Sequence, residues 1–258
     1  MKAIVFSRDR PMQLDLLLTS LERNAPGIFD VTVLYLPRRR EYEAAYMVCE
    51  HEHPEVAFVE EDAITYQVRS LCLGPELVTF FTDDSVLYRP LGEIPELYKD
   101  WICFSLRLGM NTTYCYPHDR EQARPLGHPD HPFVWPWEQY EGDFGYPMSL
   151  DGHIFRAQDL LPILHTRRFS NPNWLEEILM RDAKTIRRPL MASFHESRLV
   201  GLPLNRVNET TPNRYGATHP YPAEGLNDRY LRGERIDLDA LDFSDVRGAH
   251  QEIPLVFR

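Results

Sequence analysis

The sequence contains few cysteines and no close pair of them. The four, at widely separated positions, are Cys49, Cys72, Cys103 and Cys115. Without a Cys-x-x-Cys motif or a matched histidine spacing, neither a zinc site nor a redox motif is indicated. We interpret these residues as buried thiols in a reducing compartment, and we therefore expect a cytoplasmic protein.

Long apolar runs and an excess of basic residues are also absent. No apolar run approaches the length of a membrane span, and the short apolar start of the chain meets Arg8, Asp9 and Arg10 too early for a signal peptide. The net charge of -11 argues against broad contact with nucleic acid or an anionic membrane. We expect the one dense basic run, residues 38–40, to be solvated surface.

The first hundred residues alternate between strand and helix patterns. Short apolar runs at 2–7, 31–37, 56–61 and 77–84 are typical of strands, and amphipathic segments separate them. The clearest helix follows Pro11 and places leucines at i, i+3, i+4 and i+7, namely Leu14, Leu17, Leu18 and Leu21. This pattern predicts a single α/β domain with a mainly parallel, Rossmann-like sheet that has helices on both faces.

Beyond residue 91 the periodicity weakens. We expect one or two strands within 100–116, an irregular lid or groove wall across 117–147, and helices at 156–164 and 172–182. Trp135 and Trp137, in "FVWPWEQY", have two interpretations: indole rings can line a sugar groove, or they can pack in the core.

Two predicted strands end in polar residues at the same edge of the sheet. The first strand ends at Ser7 to Arg10, and the fourth ends in the adjacent carboxylates Asp83 and Asp84. Ligands of open α/β sheets bind beyond the carboxyl ends of the strands. Paired carboxylates suit Mg²⁺ or Mn²⁺ with a diphosphate, although "DDS" is equally a turn sequence. Arg8 and Arg10 can clamp a diphosphate, or they can form a structural ion pair.

Both strand ends resemble motifs of one enzyme family. "TFFTDDSVLYRPL" resembles the strand-end motif of GT-A fold glycosyltransferases (family 2-like), and "IVFSRDRPMQLDLLLTSL" is similar to their first strand and helix. The resemblance implies that Asp84 coordinates Mn²⁺ or Mg²⁺ directly, and that Asp83 contacts the metal or the ribose. It also implies that Ser7, Arg8 and Arg10 contact the nucleotide. The sequence departs from a strict Asp-x-Asp at Thr82.

The second half resembles the acceptor half of such enzymes in "YPMSLDGHIFRAQDLLPIL" and "FSNPNWLEEIL". Residues 1–100 would then form the nucleotide-sugar-binding half and residues 101–258 the acceptor-binding half of one domain. An inverting enzyme needs a carboxylate that takes a proton from the acceptor hydroxyl. Glu176 is the first candidate and Asp151 the second.

Each candidate on the acceptor side also has a structural interpretation. Asp151-Gly152 is a turn signal, and Asn173 can cap a helix whose positive end favours Glu176. Two late histidines, His195 and His250, are candidates for a further metal ligand, because the resemblance implies that members of the fold can supply one from the C-terminal part. A lone histidine is more often a satisfied core or surface residue, and His250 is the one we assign as a metal ligand.

The function implied is metal-dependent transfer of a sugar, as in hexosyltransferases, from a nucleotide diphosphate donor to a glycan or other hydroxyl acceptor, in bacterial polysaccharide or glycoconjugate synthesis. A nucleotidyltransferase is disfavoured because "FSRDRPM" lacks the glycines that approach a triphosphate. The alternative is a binding protein that holds a nucleotide-sugar or glycan without turnover. Neither reading involves nucleic acid or an integral membrane segment.

Overall fold

The computed structural model describes residues 1–126, 132–207 and 214–258. Its strands are β1 (Lys2–Arg8), β2 (Asp30–Leu36), β3 (Ala57–Glu60), β4 (Leu77–Thr82), β5 (Ser85–Leu87), β6 (Trp101–Ser105), β7 (Tyr114–Cys115), β8 (Arg120–Glu121), β9 (Phe133–Pro136), β10 (His153–Arg156), β11 (Leu190–Ser193) and β12 (Leu199–Gly201). Its α-helices are α1 (Pro11–Asn24), α2 (Arg40–Glu52), α3 (Ile64–Cys72), α4 (Ala157–Thr166), α5 (Pro172–Asp182) and α6 (Ala223–Leu231).

One large sheet organises the chain. Its strand order is β3-β2-β1-β4-β10-β6-β11-β9. Strands β3, β2, β1 and β4 are mutually parallel, β10 is antiparallel to both of its neighbours, β6 and β11 are parallel, and β9 is antiparallel at the edge. Strands from before and after residue 100 share this sheet. The predicted α/β class, with a mainly parallel sheet in a single domain, is confirmed.

Alternation along β1 explains why both faces of the sheet are covered. Ala3 and Val5 pack into the core beneath α1, α2 and α6, whereas Ile4 and Phe6 pack into the core beneath α3, α4 and α5. Successive side chains of a strand point to opposite faces, so an unbroken apolar run fits a strand that is buried on both sides. The helices on both faces therefore follow from the run "KAIVF".

The early helices match their predicted patterns. Helix α1 has Pro11 in its first turn and buries the predicted leucines, and α2 buries Tyr42, Tyr46 and Cys49 on one side. All four cysteines are buried and free, as expected. Residues 38–40 are exposed, which agrees with the prediction of a solvated basic run. Within the described ranges, no helix is long and apolar enough to cross a membrane.

The expectation of an irregular lid or groove wall across 117–147 is wrong at residues 133–136, which form the edge strand β9; residues 127–131 lie outside the described part of the chain. Trp135 and Trp137 are core residues and do not line a groove. The Trp135 Nε1 donates to the Phe144 carbonyl at 2.8 Å, and Trp137 Nε1 donates to the Arg188 carbonyl at 3.0 Å. An indole whose N–H has a partner can be buried entirely, and its apolar area then favours the core.

A buried histidine connects α1 to the end of α2. His53 Nδ1 lies 2.7 Å from Glu22 Oε1, and its Nε2 lies 3.0 Å from Asp15 Oδ1. Asp15, Cys49 and His53 place their ligand atoms within 4.8 Å of one another, a grouping that cysteine spacing did not indicate. Since both ring nitrogens face carboxylates, the contacts fit a protonated imidazolium. Burial lowers the pKa of His53, but the bonds to Asp15 and Glu22 outweigh it and raise the pKa overall.

This arrangement predicts a pH-dependent contribution to stability. Because folding raises the pKa of His53, its stabilisation is fully present below the pKa of the unfolded chain and is lost as pH rises through the folded-state pKa. We expect His53→Gln to lower the free energy of unfolding by roughly 2 kcal/mol at pH 6 and by clearly less at pH 9. Urea unfolding at both pH values measures this, with the exposed His165→Gln as control. An equal loss at both values would contradict the imidazolium.

Candidate active site

The polar ends of β1 and β4 meet where the order of strands in the sheet reverses. From β1 the chain builds β2 and β3 on one side and then returns to β4 on the other side. In the parallel pair β1 and β4, Phe6 is opposite Thr82, and the Asp83 amide donates to the Phe6 carbonyl at 3.1 Å. The residues that follow both strands therefore emerge side by side, at the position where open α/β sheets bind ligands.

A cleft of about 1030 Å³ opens over these strand ends. All the predicted site residues line it, namely Ser7, Arg8, Arg10, Asp83, Asp84, Asp151, Glu176 and His250. His195, the other histidine considered as a ligand, is not among the residues that line this cleft. The structure thus brings residues from both halves of the sequence into one site, while their individual roles stay predictions.

Asp83 is deeply buried and held by donors from the end of β1. Its Oδ2 accepts from the Ser7 hydroxyl at 2.9 Å and from the Arg8 amide at 3.0 Å, and its Oδ1 accepts from Arg10 Nη1 at 3.0 Å. Burial and the charge of Asp84 raise the pKa of Asp83, and Arg10 opposes both effects. Its full set of donors fixes this carboxylate in place.

Asp84 is the more accessible member of the pair, with 19% of its side chain exposed. Its Oδ2 accepts from the same Arg10 Nη1 at 3.0 Å, and its Oδ1 lies 2.8 Å from Thr82 Oγ1. Thr82 Oγ1 also lies 2.6 Å from Asp151 Oδ1. One hydroxyl proton can serve only one of these two carboxylates. Thr82, which stands where a strict Asp-x-Asp motif would have its first aspartate, therefore connects the aspartate pair to Asp151 on the other side of the cleft.

Asp151 is surrounded by positively charged groups. Its Oδ2 accepts from Arg107 Nη1 at 3.1 Å and lies 3.2 Å from His250 Nε2. Burial would raise the pKa of Asp151, but His250, Arg107 and the Thr82 hydroxyl outweigh it and hold the pKa well below its usual range. The turn predicted at Asp151-Gly152 is present, with Gly152 at φ 72°. A Cβ at that glycine would lie 2.3 Å from Leu199 Cδ2.

Glu176 enters the cleft from helix α5. Its Oε1 accepts from the Leu150 amide at 3.0 Å. Burial and the neighbouring charge of Asp151 raise the pKa of Glu176. Among the candidates for a proton acceptor, Glu176 is therefore the carboxylate whose pKa is moved toward neutrality.

The cap of α5 differs from the prediction. Asn171, not Asn173, is the N-cap, and its Oδ1 accepts from the Trp174 amide at 2.9 Å. Pro172 then occupies the first helical position, where no amide proton is needed and the fixed φ suits a helix. The extended backbone at Asn171 satisfies both the N-cap and the residue before a proline. Glu176 consequently lies one turn inside the helix.

Asp151 and Glu176 thus have opposite electrostatic environments in one cleft. Two neighbouring carboxyl groups with pKa values moved apart are typical of sites that need one permanent charge and one group that exchanges a proton. Asp151, paired with Arg107, suits the permanent charge. Glu176 suits proton exchange.

The chemistry of the aspartate pair also fits a divalent cation. The two carboxylates already converge on a positive charge, the Arg10 guanidinium, and hard cations such as Mg²⁺ and Mn²⁺ prefer carboxylate and hydroxyl oxygens. His250 Nδ1 is buried without a hydrogen-bond partner among the described residues. The residues that would hold a metal are Asp84 and Asp83. His250 is linked to this pair indirectly, through its contact with Asp151 and the contacts of Thr82 with Asp151 and Asp84.

Several residues of the site were missed by sequence reasoning. Arg107 bonds to Asp151 and also to Asp143, with Nη2 3.3 Å from Asp143 Oδ1. Asn205 contacts Arg10 from the C-terminal part of the chain. Arg107 had one usable signal, a charge directly after the apolar strand pattern "WICFSL", whereas nothing local distinguishes Asn205.

No family model matches the chain, and no curated protein matches it. Solved structures do match. S. aureus TarS has 12% identity and a TM-score of 0.48, over 77% of this chain and 36% of TarS. Residues 1–349 of TarS in complex with UDP have 12% identity and a TM-score of 0.47, over 77% of this chain and 60% of that one. This chain therefore spans about a third of the length of TarS.

The galactosyltransferase LgtC, in complex with donor and acceptor sugar analogs, also matches. It has 9% identity and a TM-score of 0.42, over 90% of this chain and 96% of LgtC. Glycosyltransferases are thus among the solved structures to which the chain is similar.

Proposed function

We propose that the chain is a metal-dependent glycosyltransferase that moves a sugar from a nucleotide diphosphate donor to a glycan or other hydroxyl acceptor. One observation carries the proposal: Asp83 and Asp84, which directly follow β4 beside the end of the parallel strand β1, share a cleft with Asp151 and Glu176, two carboxyl groups whose pKa values are shifted in opposite directions. A cleft of about 1030 Å³ is large enough for a nucleotide-sugar and part of an acceptor.

The donor half of the cleft is suited to a diphosphate. Arg8 lines the cleft at the end of β1, and its Nε is buried without a hydrogen-bond partner among the described residues. Arg10 lines the same part of the cleft and forms an ion pair with the two aspartates. Guanidinium groups bind phosphate oxygens through paired hydrogen bonds. These two arginines orient the diphosphate, with Asp83 fixing the end of β1 through Ser7 and the Arg8 amide.

The metal would be held by Asp84 and Asp83, and when bound it supplies positive charge to the departing diphosphate. On the acceptor side, Glu176 takes the proton of the attacking hydroxyl. The acceptor oxygen forms a bond to the anomeric carbon while the bond from that carbon to the phosphate oxygen breaks, and its electrons leave with the nucleoside diphosphate. Asp151 stays ionised beside Arg107 and His250 and contributes fixed charge. We further propose, as the resemblance of the sequence implies, that this reaction belongs to bacterial polysaccharide or glycoconjugate synthesis.

A donor screen tests the proposed function. The purified chain is incubated with Mn²⁺ and nucleotide-sugars of different bases, with and without a panel of sugar acceptors, and free nucleoside diphosphate is measured. Release from one donor, increased by an acceptor and stopped by a chelator, is expected. Binding of nucleoside diphosphates without release from any donor over a broad acceptor panel would instead identify a non-catalytic binding protein.

A further inference from the structure

Arg10 fills the space between the two aspartates that the proposed function gives to a metal. Its Nη1 lies 3.0 Å from Asp83 Oδ1 and 3.0 Å from Asp84 Oδ2. The side chain is 10% exposed, so this is a buried ion pair within the site. Mg²⁺ bound by both carboxylates would need metal–oxygen distances of about 2.0–2.1 Å. The guanidinium nitrogen and the metal therefore exclude each other.

The guanidinium has a second anchor on the C-terminal part of the chain. Arg10 Nε donates to Asn205 Oδ1 at 2.8 Å, and Nη2 donates to the Asn205 backbone carbonyl. Asn205 is in turn held by Tyr221, whose carbonyl accepts from Asn205 Nδ2 at 2.8 Å. The amide of Leu202, three residues earlier, donates to the Asp84 carbonyl at 2.7 Å. This segment and the aspartate pair thus hold Arg10 from both sides.

The charges explain why a metal can replace the Arg10 guanidinium between Asp83 and Asp84. One guanidinium neutralises half of the charge of Asp83 and Asp84, whereas a divalent cation neutralises all of it. The Arg10 backbone is fixed at the start of α1, where its carbonyl accepts from the Leu14 amide at 3.0 Å. The long side chain can leave while the backbone stays. An arriving diphosphate offers the guanidinium a new partner in the same cleft.

We infer that Arg10 is a built-in cation that competes with the metal for Asp83 and Asp84, so that the chain binds the metal weakly until a diphosphate draws the guanidinium away. The inference rests on the proposed function and adds its regulation. Metal and nucleoside diphosphate then bind cooperatively, and the coupling is reciprocal because it is a property of the equilibrium. Asn205 sets how firmly the arginine is retained.

Metal binding alone tests the competition, without any turnover. Mn²⁺ is titrated into the full chain in the absence of nucleotide, by calorimetry or by the loss of the free-ion paramagnetic resonance signal. For Arg10→Gln we expect a dissociation constant at least about tenfold lower than that of wild type, because a positive charge leaves the pair. Asn205→Ala keeps the arginine but removes one anchor, and a decrease of roughly two- to tenfold is expected.

The control is Arg23→Gln, which removes the same charge from the other end of α1, roughly 20 Å away at 1.5 Å per residue. Its Mn²⁺ affinity should equal that of wild type. Since Arg10→Gln removes the positive charge that Asp83 and Asp84 share, its thermal unfolding is measured as well. Mn²⁺ should raise the unfolding temperature of Arg10→Gln more than that of wild type. Asn205→Ala keeps the test decisive if Arg10→Gln does not fold.

Each outcome decides the inference. Tighter Mn²⁺ binding by Arg10→Gln and Asn205→Ala, but not by Arg23→Gln, supports it. Equal affinity of wild type and both cleft variants overturns it and leaves the proposed transfer intact. Failure of every variant to bind Mn²⁺ overturns it too and also removes the metal from the proposed function. The donor screen then decides separately whether the chain transfers sugar without one.

Discussion

Replacing Asp84 with asparagine is expected to reduce the kcat/KM of sugar transfer by about 10³-fold, while the fold is retained. The side chain keeps its shape but loses the charge that would hold a metal against the donor diphosphate. Because Asp84 also repels Asp83 across a short distance, we expect no decrease in the unfolding temperature. Nucleoside diphosphate release from the donor found in the screen measures the effect.

Binding measurements show where the loss arises. Calorimetric titration of nucleoside diphosphates with Mn²⁺ should detect metal-dependent binding in wild type and not in Asp84→Asn. The matched control is Asp100→Asn, an exposed aspartate outside the cleft, which should bind and turn over like wild type. If Asp84→Asn kept both metal-dependent binding and turnover, the two aspartates would be only a turn.

Replacing Glu176 with glutamine should lower kcat by roughly 10²- to 10⁴-fold, the range typical of a lost general base. The amide can still accept from the Leu150 amide, so the helix and cleft are expected to persist. Donor binding should change little, because Glu176 lies on the acceptor side. Activity of the wild type should rise with pH through the raised pKa of Glu176, since only the ionised carboxylate accepts a proton, and the variant should lack this rise.

A second variant separates Glu176 from the other carboxylate of the acceptor side. Asp151→Asn disturbs the ion pairs with Arg107 and His250, so it should lower activity while the pH-dependent rise persists. Glu96→Gln, an exposed glutamate away from the cleft, provides the control for charge alone. Loss of the pH dependence in Asp151→Asn, with retention in Glu176→Gln, would assign proton transfer to Asp151 instead.

The outcomes for the second half of the chain show where sequence reasoning stops. The segment around Trp135, expected to be an irregular groove wall, is an edge strand. An aromatic-rich run can either line a groove or fill a core, and the residues that pack against it in the fold determine which. The N-cap of α5 was predicted at Asn173 but is Asn171. Pro172 favours the first helical position, so the residue before it becomes the cap. Helix α5 itself was predicted, since it depends on local periodicity.

The sequence by itself determined the α/β class, the early strands and helices, and the placement of polar residues directly after β1 and β4. These features depend on periodicity and on the rule that parallel strands end at one edge, both of which can be seen along a single chain. Asp83 and Asp84 could be nominated in this way because they directly follow a recognisable strand, whereas Glu176 was nominated through the resemblance to the acceptor half of glycosyltransferases.

Only the tertiary structure decided which groups these residues contact and how their pKa values are shifted. Arg10 bridges both aspartates and reaches Asn205, and Arg107 reaches Asp151, through contacts between residues far apart in the chain. The pKa of a buried carboxylate depends on which charges and donors surround it in three dimensions. The sequence leaves open whether Arg10 contacts a diphosphate, the aspartates, or each in turn. The packing of the C-terminal segment against β1 and β4 decides this.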